Sequence, residues 1–173
     1  MVPIMYVLKE HHVKAAGFVL GQNLTGSYDL LGDWLNDGHR LGSMTYSQTD
    51  LNDVAATSVE AFKADVVAGQ EAIEEMLEGF GQNSRYFRYP FLHYGPTPPS
   101  QREVKSFLEG NNVIVAHVTV LVDDYLYNLG LAKLGPTPGD AQLEGLMNEY
   151  VNHVLDKIEE AEDIAKAVVG RPV

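Results

Sequence analysis

Apolar positions along the chain alternate between two regimes. Compact apolar runs come first: "VKAAGFVLG" (13–21), closed by Gly21, reads as a buried strand, and "HRLGSM" (39–44) as a short one. "RYFRYPF" (85–91) reads as a strand entering a turn at Pro90, and "NVIVAHVTVLV" (112–122), dense in β-branched residues, as the most strand-like run of all. Between them the period lengthens to that of a helix. "SYDLLGDWLNDG" (27–38) places Leu30, Leu31, Trp34 and Leu35 on one side, with Gly38 as a stop. In 57–81, Val59, Phe62, Val66, Ile73 and Leu77 recur at helical spacing before "GFG" ends the element. "IMYVLKEHH" (4–12) reads as the end of a short helix and "QREVKSFLEG" (101–110) as a helix. A long amphipathic helix spans 141–168, striped by Leu143, Met147, Tyr150, Val154, Ile158, Ala161 and Ala165. "HYGPTPPSQ" (93–101) and "LGPTPGD" (134–140) are expected to be loops, the first because three prolines and a glycine oppose regular structure.

This alternation argues for an α/β fold with a parallel sheet. In such folds chemistry gathers at the carboxyl ends of the strands. "GSMTYSQTD" (42–50), "RYPFLHYG" (88–95) and "VDDYLYN" (122–128) each follow an expected strand and should meet on one rim. The length, 173 residues, suits one domain over 1–173 with a core of its own. The absence of cysteine removes disulfides, thiolate nucleophiles and cysteine metal sites. A net charge of −12 opposes binding to nucleic acid and to anionic membrane surfaces. No apolar stretch approaches the roughly 18 residues of a membrane span. "MVPIMYVLKEHH" has no basic leader, so the chain as written is expected to be cytoplasmic.

Four blocks, "VKAAGFVLGQNL", "GHRLGSMTYSQTDLN", "RYFRYPFLHYG" and "VTVLVDDYLYN", resemble in order and spacing those of the polysaccharide deacetylases, the NodB-type domains of carbohydrate esterase family four. The resemblance runs from about His11 to Val173. It implies a distorted (β/α) barrel of parallel strands with outer helices, here incomplete, lacking the family's first strand and last strands. It also implies removal of acetyl groups from N-acetylated glycans by a divalent metal, usually zinc, held by an aspartate and two histidines. The metal would lower the pKa of a bound water and polarise the carbonyl.

The chain departs from that pattern at the metal. "MTYSQ" stands where the family has a histidine pair, so Met44 and Gln48 occupy ligand positions. A thioether and a carboxamide are poor donors for zinc. The expectation is therefore no cofactor, with zinc only if other groups replace these ligands. Arg88 matches the arginine of the third motif, with Pro90 and Phe91 shaping the turn after it. Asp124 matches the aspartate that partners this arginine, Tyr125 replaces a tryptophan, and Leu121 stands where relatives often carry an aspartate. Arg88 and Asp124 are thus the retained catalytic-motif positions, and Pro90, Phe91, Tyr94 and Tyr125 the candidate glycan contacts.

Each of these signals has a plainer reading. Arg88 and Asp124 could be a structural ion pair at a strand end. The aromatics Tyr86, Tyr89, Phe91, Tyr94, Tyr125 and Tyr127 could be ordinary packing rather than a sugar platform. His39 and His93 could recruit a new metal with Asp123 or Asp124, but no ligand-like spacing supports it. His11 and His12 and the "EEAED" run read as solvated surface. Three functions follow: a degenerate glycan-binding or relic domain without the usual deacetylase activity; an active deacetylase with replaced ligands or strands borrowed from another chain; and an interaction domain assembling through open sheet edges, hence a homo-oligomer.

Overall fold

A computed structural model describes residues 2–172 and divides the chain into two compact units, Met1–Ala116 and His117–Val173. The first unit carries a four-stranded sheet: β1 (Ala16–Val19), β2 (Arg40–Ser43), β3 (Tyr86–Phe87) and β4 (Ile114–Val115). The order is β1-β2-β3-β4 and every pairing is parallel. Ala16–Val19 faces Arg40–Ser43 residue for residue, Ser43 pairs with Phe87, and Tyr86–Phe87 pairs with Ile114–Val115. The sheet is not closed, and β1 and β4 are its edges.

Helices α1 (Val2–Glu10), α2 (Tyr28–Asn36), α3 (Val59–Glu78) and α4 (Pro98–Gly110) connect and flank the strands. α2 buries Leu31, Trp34 and Leu35, and the indole N–H of Trp34 donates to the Arg40 carbonyl at 2.8 Å, fixing the helix to the start of β2. α3 is the spine. Its buried line Phe62, Val66, Gly69, Ile73 and Leu77 follows the periodicity seen in the sequence. Its Ile73 end joins a core with Leu31, Trp34, Leu35 and Leu41; its Phe62 end joins a second core with Leu51, Phe87, Tyr89, Val104 and Leu108. Ser58 caps α3 by accepting the Ala61 N–H at 3.1 Å.

Two expectations fail for physical reasons. The segment 93–101 is not wholly loop, because α4 begins at Pro98. Proline lacks the N–H that a first helical turn leaves unpaired anyway, so Pro98 and Pro99 open the helix behind a Thr97–Ser100 capping box. The run 112–122 yields a strand of two residues, Ile114–Val115. β4 is an edge whose one strand partner is β3, also two residues long, so propensity has no ladder to extend along.

The second unit is helical. α5 (Asp124–Lys133) packs on α6 (Asp140–Val169), with Tyr127 edge-on to Tyr150 at 5.0 Å and close to His153 at 5.6 Å. α6 ends at Gly170, whose φ of 72° gives the left-handed cap that glycine adopts without strain. Among the described residues no helix is long and apolar enough to cross a membrane.

Candidate functional site

Two loops follow the carboxyl ends of the central strands: 44–58 after β2 and 88–97 after β3. Four of their non-glycine residues, Thr45, Gln48, Phe91 and Leu92, have φ between 56° and 68°. Left-handed backbone at such residues persists only where the surroundings over-determine it, and here they do.

Three hydroxyl residues at alternate positions, Thr45, Ser47 and Thr49, turn toward Asp65 on α3. Asp65 accepts the Thr49 hydroxyl at 2.6 Å, the Ser47 hydroxyl at 2.9 Å and the Ser47 N–H at 3.2 Å. Burial pushes the Asp65 carboxyl up, yet the hydrogen bonds from Thr49, Ser47 and Thr45 outweigh it and hold the group below its ordinary 3.8. The Tyr46 N–H donates to the Asp65 carbonyl at 3.0 Å, and α3 comes so close that a Cβ on Gly69 would lie 2.4 Å from the Thr45 carbonyl carbon. The far side of the loop is held too: Gly21 N–H donates to Thr45 and Gln22 N–H to Tyr46.

The two loops are also tied to each other. His93 Nδ1 donates to Asp50 at 2.8 Å, and the Gly95 N–H donates to the Asn52 side chain at 3.0 Å. Burial is the largest single influence on the Asp50 carboxyl and raises it, but the Asn52 and Asp53 N–H groups and His93 together prevail and lower it. His93 is therefore a loop clamp. His39 lies elsewhere, buried at the start of β2, and among the described residues no group of three or more His, Asp or Glu side chains gathers to hold a metal.

Within this frame Met44 is half-buried, its N–H donating to Val19 at 2.9 Å, and Gln48 is exposed. A thioether and a solvent-facing carboxamide do not fit a divalent metal of the zinc type. Arg88 is half-buried beyond β3. Its guanidinium lies 4.1 Å over the Phe18 ring of β1, and its Nε donates weakly to Ala116 at 3.4 Å. The ring crosses β2 because Gly42 offers no side chain there; a Cβ on Gly42 would lie 2.6 Å from it.

The aromatic candidates separate. Pro90 is buried and opens the turn Pro90–Leu92; Phe91 projects from it, 56% exposed. Tyr94 is half-buried against Tyr89 at 4.7 Å, and Tyr89 sits in the core stacked on Phe62, its hydroxyl pushed up to about 12 by burial and by Tyr94. Tyr86 stays partly exposed on the sheet. Asp124 and Tyr125 belong to the second unit, where they open helix α5 instead of following a strand directly. There Tyr125 is exposed and Asp124 lines a cavity of about 250 Å³ with Tyr127, Leu143 and Tyr150. Arg88 and Asp124 thus belong to different units. Phe18, Asp50 and Asp65 were not anticipated. The three hydroxyls of "TYSQT" were the one available signal, and it is the turns of the loop, with left-handed backbone at Thr45 and Gln48, that bring them to Asp65.

Residues 2–106 match the family model of polysaccharide deacetylase. The chain belongs to that family. Over 88 residues it is 27% identical to the peptidoglycan-N-acetylglucosamine deacetylase of Bacillus cereus, an alignment covering 51% of this chain and 30% of that protein. Its fold is similar to that of a CE4 family pseudoenzyme from Bacillus anthracis, with a TM-score of 0.58 and 14% identity over 89% of this chain and 55% of the other. A mutant of the peptidoglycan deacetylase PdaC from Bacillus subtilis gives a TM-score of 0.54 and 19% identity over 95% and 85%. The chain therefore spans under a third of the length of the curated relative and about half of the pseudoenzyme. The parallel α/β sheet is the family's, in an open form.

Proposed function

We propose that this polysaccharide deacetylase-like domain binds N-acetylated glycan at the loops 44–58 and 88–97 and does not carry out the usual metal-dependent N-deacetylation. One observation carries the reading. The loop 44–58 is firmly held, by the Asp65 anchor and the Asp50–His93 clamp, while the two positions that the family resemblance makes metal donors are Met44 and Gln48. Neither side chain is an anionic or imidazole donor, so orientation by neighbouring groups has nothing to act on. A half-buried guanidinium over an aromatic ring, with Phe91 and Tyr86 exposed nearby in sequence, suits sugar hydroxyls and sugar faces.

The test is calorimetric titration with N-acetylated chito-oligosaccharides. Wild type should bind, and Arg88→Ala should bind at least tenfold more weakly with an unchanged fold by circular dichroism. Protein purified without chelator should carry sub-stoichiometric zinc and release no acetate. Stoichiometric zinc with acetate release would establish the second reading, an active deacetylase with replaced ligands, which the relative from Bacillus cereus favours by its name.

A further inference from the structure

A polar cleft of about 390 Å³ opens beneath the amino-terminal ends of β2 and β3, lined by Gly38, His39, Arg40, Gly81, Gln82 and Asn83. It lies at the opposite end of β2 from Met44 and its loop. We infer that this cleft is a binding site for a small oxyanion, a phosphate or a carboxylate.

The chemistry of the wall supports this. The chain carries 24 acidic residues against 12 Lys and Arg, yet no carboxylate lines the cleft. Arg40 does line it, and among the described residues its guanidinium makes no hydrogen bond or ion pair. Some other cations, unlike Arg40, Lys14 and Arg88, pair with carboxylates among the described residues: Lys9 with Asp37, Lys63 with Glu60 and Glu103, and Arg85 with Glu74. The Lys14 ammonium reaches the rim, donating to the Asp37 carbonyl and lying 3.4 Å from where a Cβ on Gly38 would be. Asp37, next to Gly38 in the chain, is engaged by Lys9 at 3.3 Å. Gly38 and Gly81, with φ of 82° and 62°, turn the backbone without placing a side chain at the mouth. Arg40 brings a planar guanidinium fork, and Gln82 and Asn83 carboxamide donors, to the lining of one cleft, the groups that hold an oxyanion.

The site has a built-in reporter. His39, 1% exposed, accepts the Ala15 N–H at Nδ1 (3.2 Å), so its proton sits on Nε2, which has no acceptor among the described residues. Its ring lies 4.2 Å from Trp34, and Trp34 donates to the Arg40 carbonyl. Trp34 is the sole tryptophan. An anion held by Arg40 therefore changes the surroundings of the one strong fluorophore.

Trp34 fluorescence is followed while inorganic phosphate or acetate is added to the full chain at constant ionic strength, with chloride as control. A saturable change with phosphate, acetate or both supports the site, and the pattern identifies the anion class. Arg40→Gln should weaken binding at least tenfold while leaving the urea midpoint in place. Should that variant unfold, the Gln82→Ala/Asn83→Ala double variant takes its place with the same expectation. A non-saturating response, a response equal to that of chloride, or equal affinity in the variants overturns the proposal. Arg88→Ala leaves this response intact, so failure here and failure of the glycan reading are separate results.

Discussion

Asp65 organises the 45–49 loop at the scale of one residue. Among the described residues it has no cationic partner; hydroxyl and amide protons of the 45–49 loop satisfy it. Hydrogen bonds to an ionised group contribute about 1.5–3 kcal/mol each before non-additivity, and Asp65 is only half-buried, so Asp65→Asn should cost about 1–2 kcal/mol by urea unfolding. The pH dependence follows from the direction of the shift. Asp65 and Asp50 both titrate below 3.8 in the folded chain, so the native state binds fewer protons there than the unfolded one. Their stabilisation is complete above about pH 5 and fades as the pH falls through 3.8 toward the depressed values. Between about pH 5 and pH 3, wild type should lose stability faster than Asp65→Asn, and their urea midpoints should converge. Midpoints that stay parallel would show that Asp65 is not held in its charged form.

At the scale of elements, the packing of α3 on the 44–58 loop rests on the absence of one methyl group. Alanine in place of glycine inside a helix gains about 1 kcal/mol of intrinsic propensity. At Gly69 that gain meets backbone atoms of Thr45 and Tyr46 at 2.4–2.7 Å, which no rotamer change can relieve. Overpacking of this kind costs about 1–3 kcal/mol or more, so Gly69→Ala should destabilise the fold and disturb the loop. Gly145 on α6 has nothing within 4 Å, and Gly145→Ala should stabilise by up to about 1 kcal/mol. Opposite signs in urea unfolding are the expected result; equal signs would mean α3 can move off the loop freely. The same contrast explains what was legible in the sequence. The period of α3 and the stripe of α2 were readable because burial imposes them. β4 was overread because strand propensity ran on where pairing did not, and α5 was missed because apolar residues lie all round it: Tyr125, Leu126, Leu129 and Leu131 give no stripe. The Asp65 anchor and the Arg88–Phe18 stack were not legible, because each joins residues far apart in the chain.

For the whole molecule, surface left uncovered is the dominant fact. β1 and β4 are both edges of an open parallel sheet, a topology usually covered on both faces and at its ends. In the second unit α5 buries no residue at all, and Tyr125, Leu126, Leu129, Met147, Val151 and Leu155 are each more than half exposed. Large contiguous apolar exposure is uncommon on a monomer that stays alone. We therefore propose a homo-oligomer, and its electrostatics dictate how it should respond to salt. Each copy carries −12, so like-charge repulsion opposes association at low ionic strength. Raising salt from about 50 mM to about 500 mM shortens the screening length from above 10 Å to below 5 Å and removes most of that repulsion, while apolar contact is untouched. Light scattering after size exclusion should show assembly at micromolar concentration, stronger at high salt. Assembly that dissolves as salt rises would point instead to ion pairing between copies, and a monomer at every concentration and salt would remove the proposal.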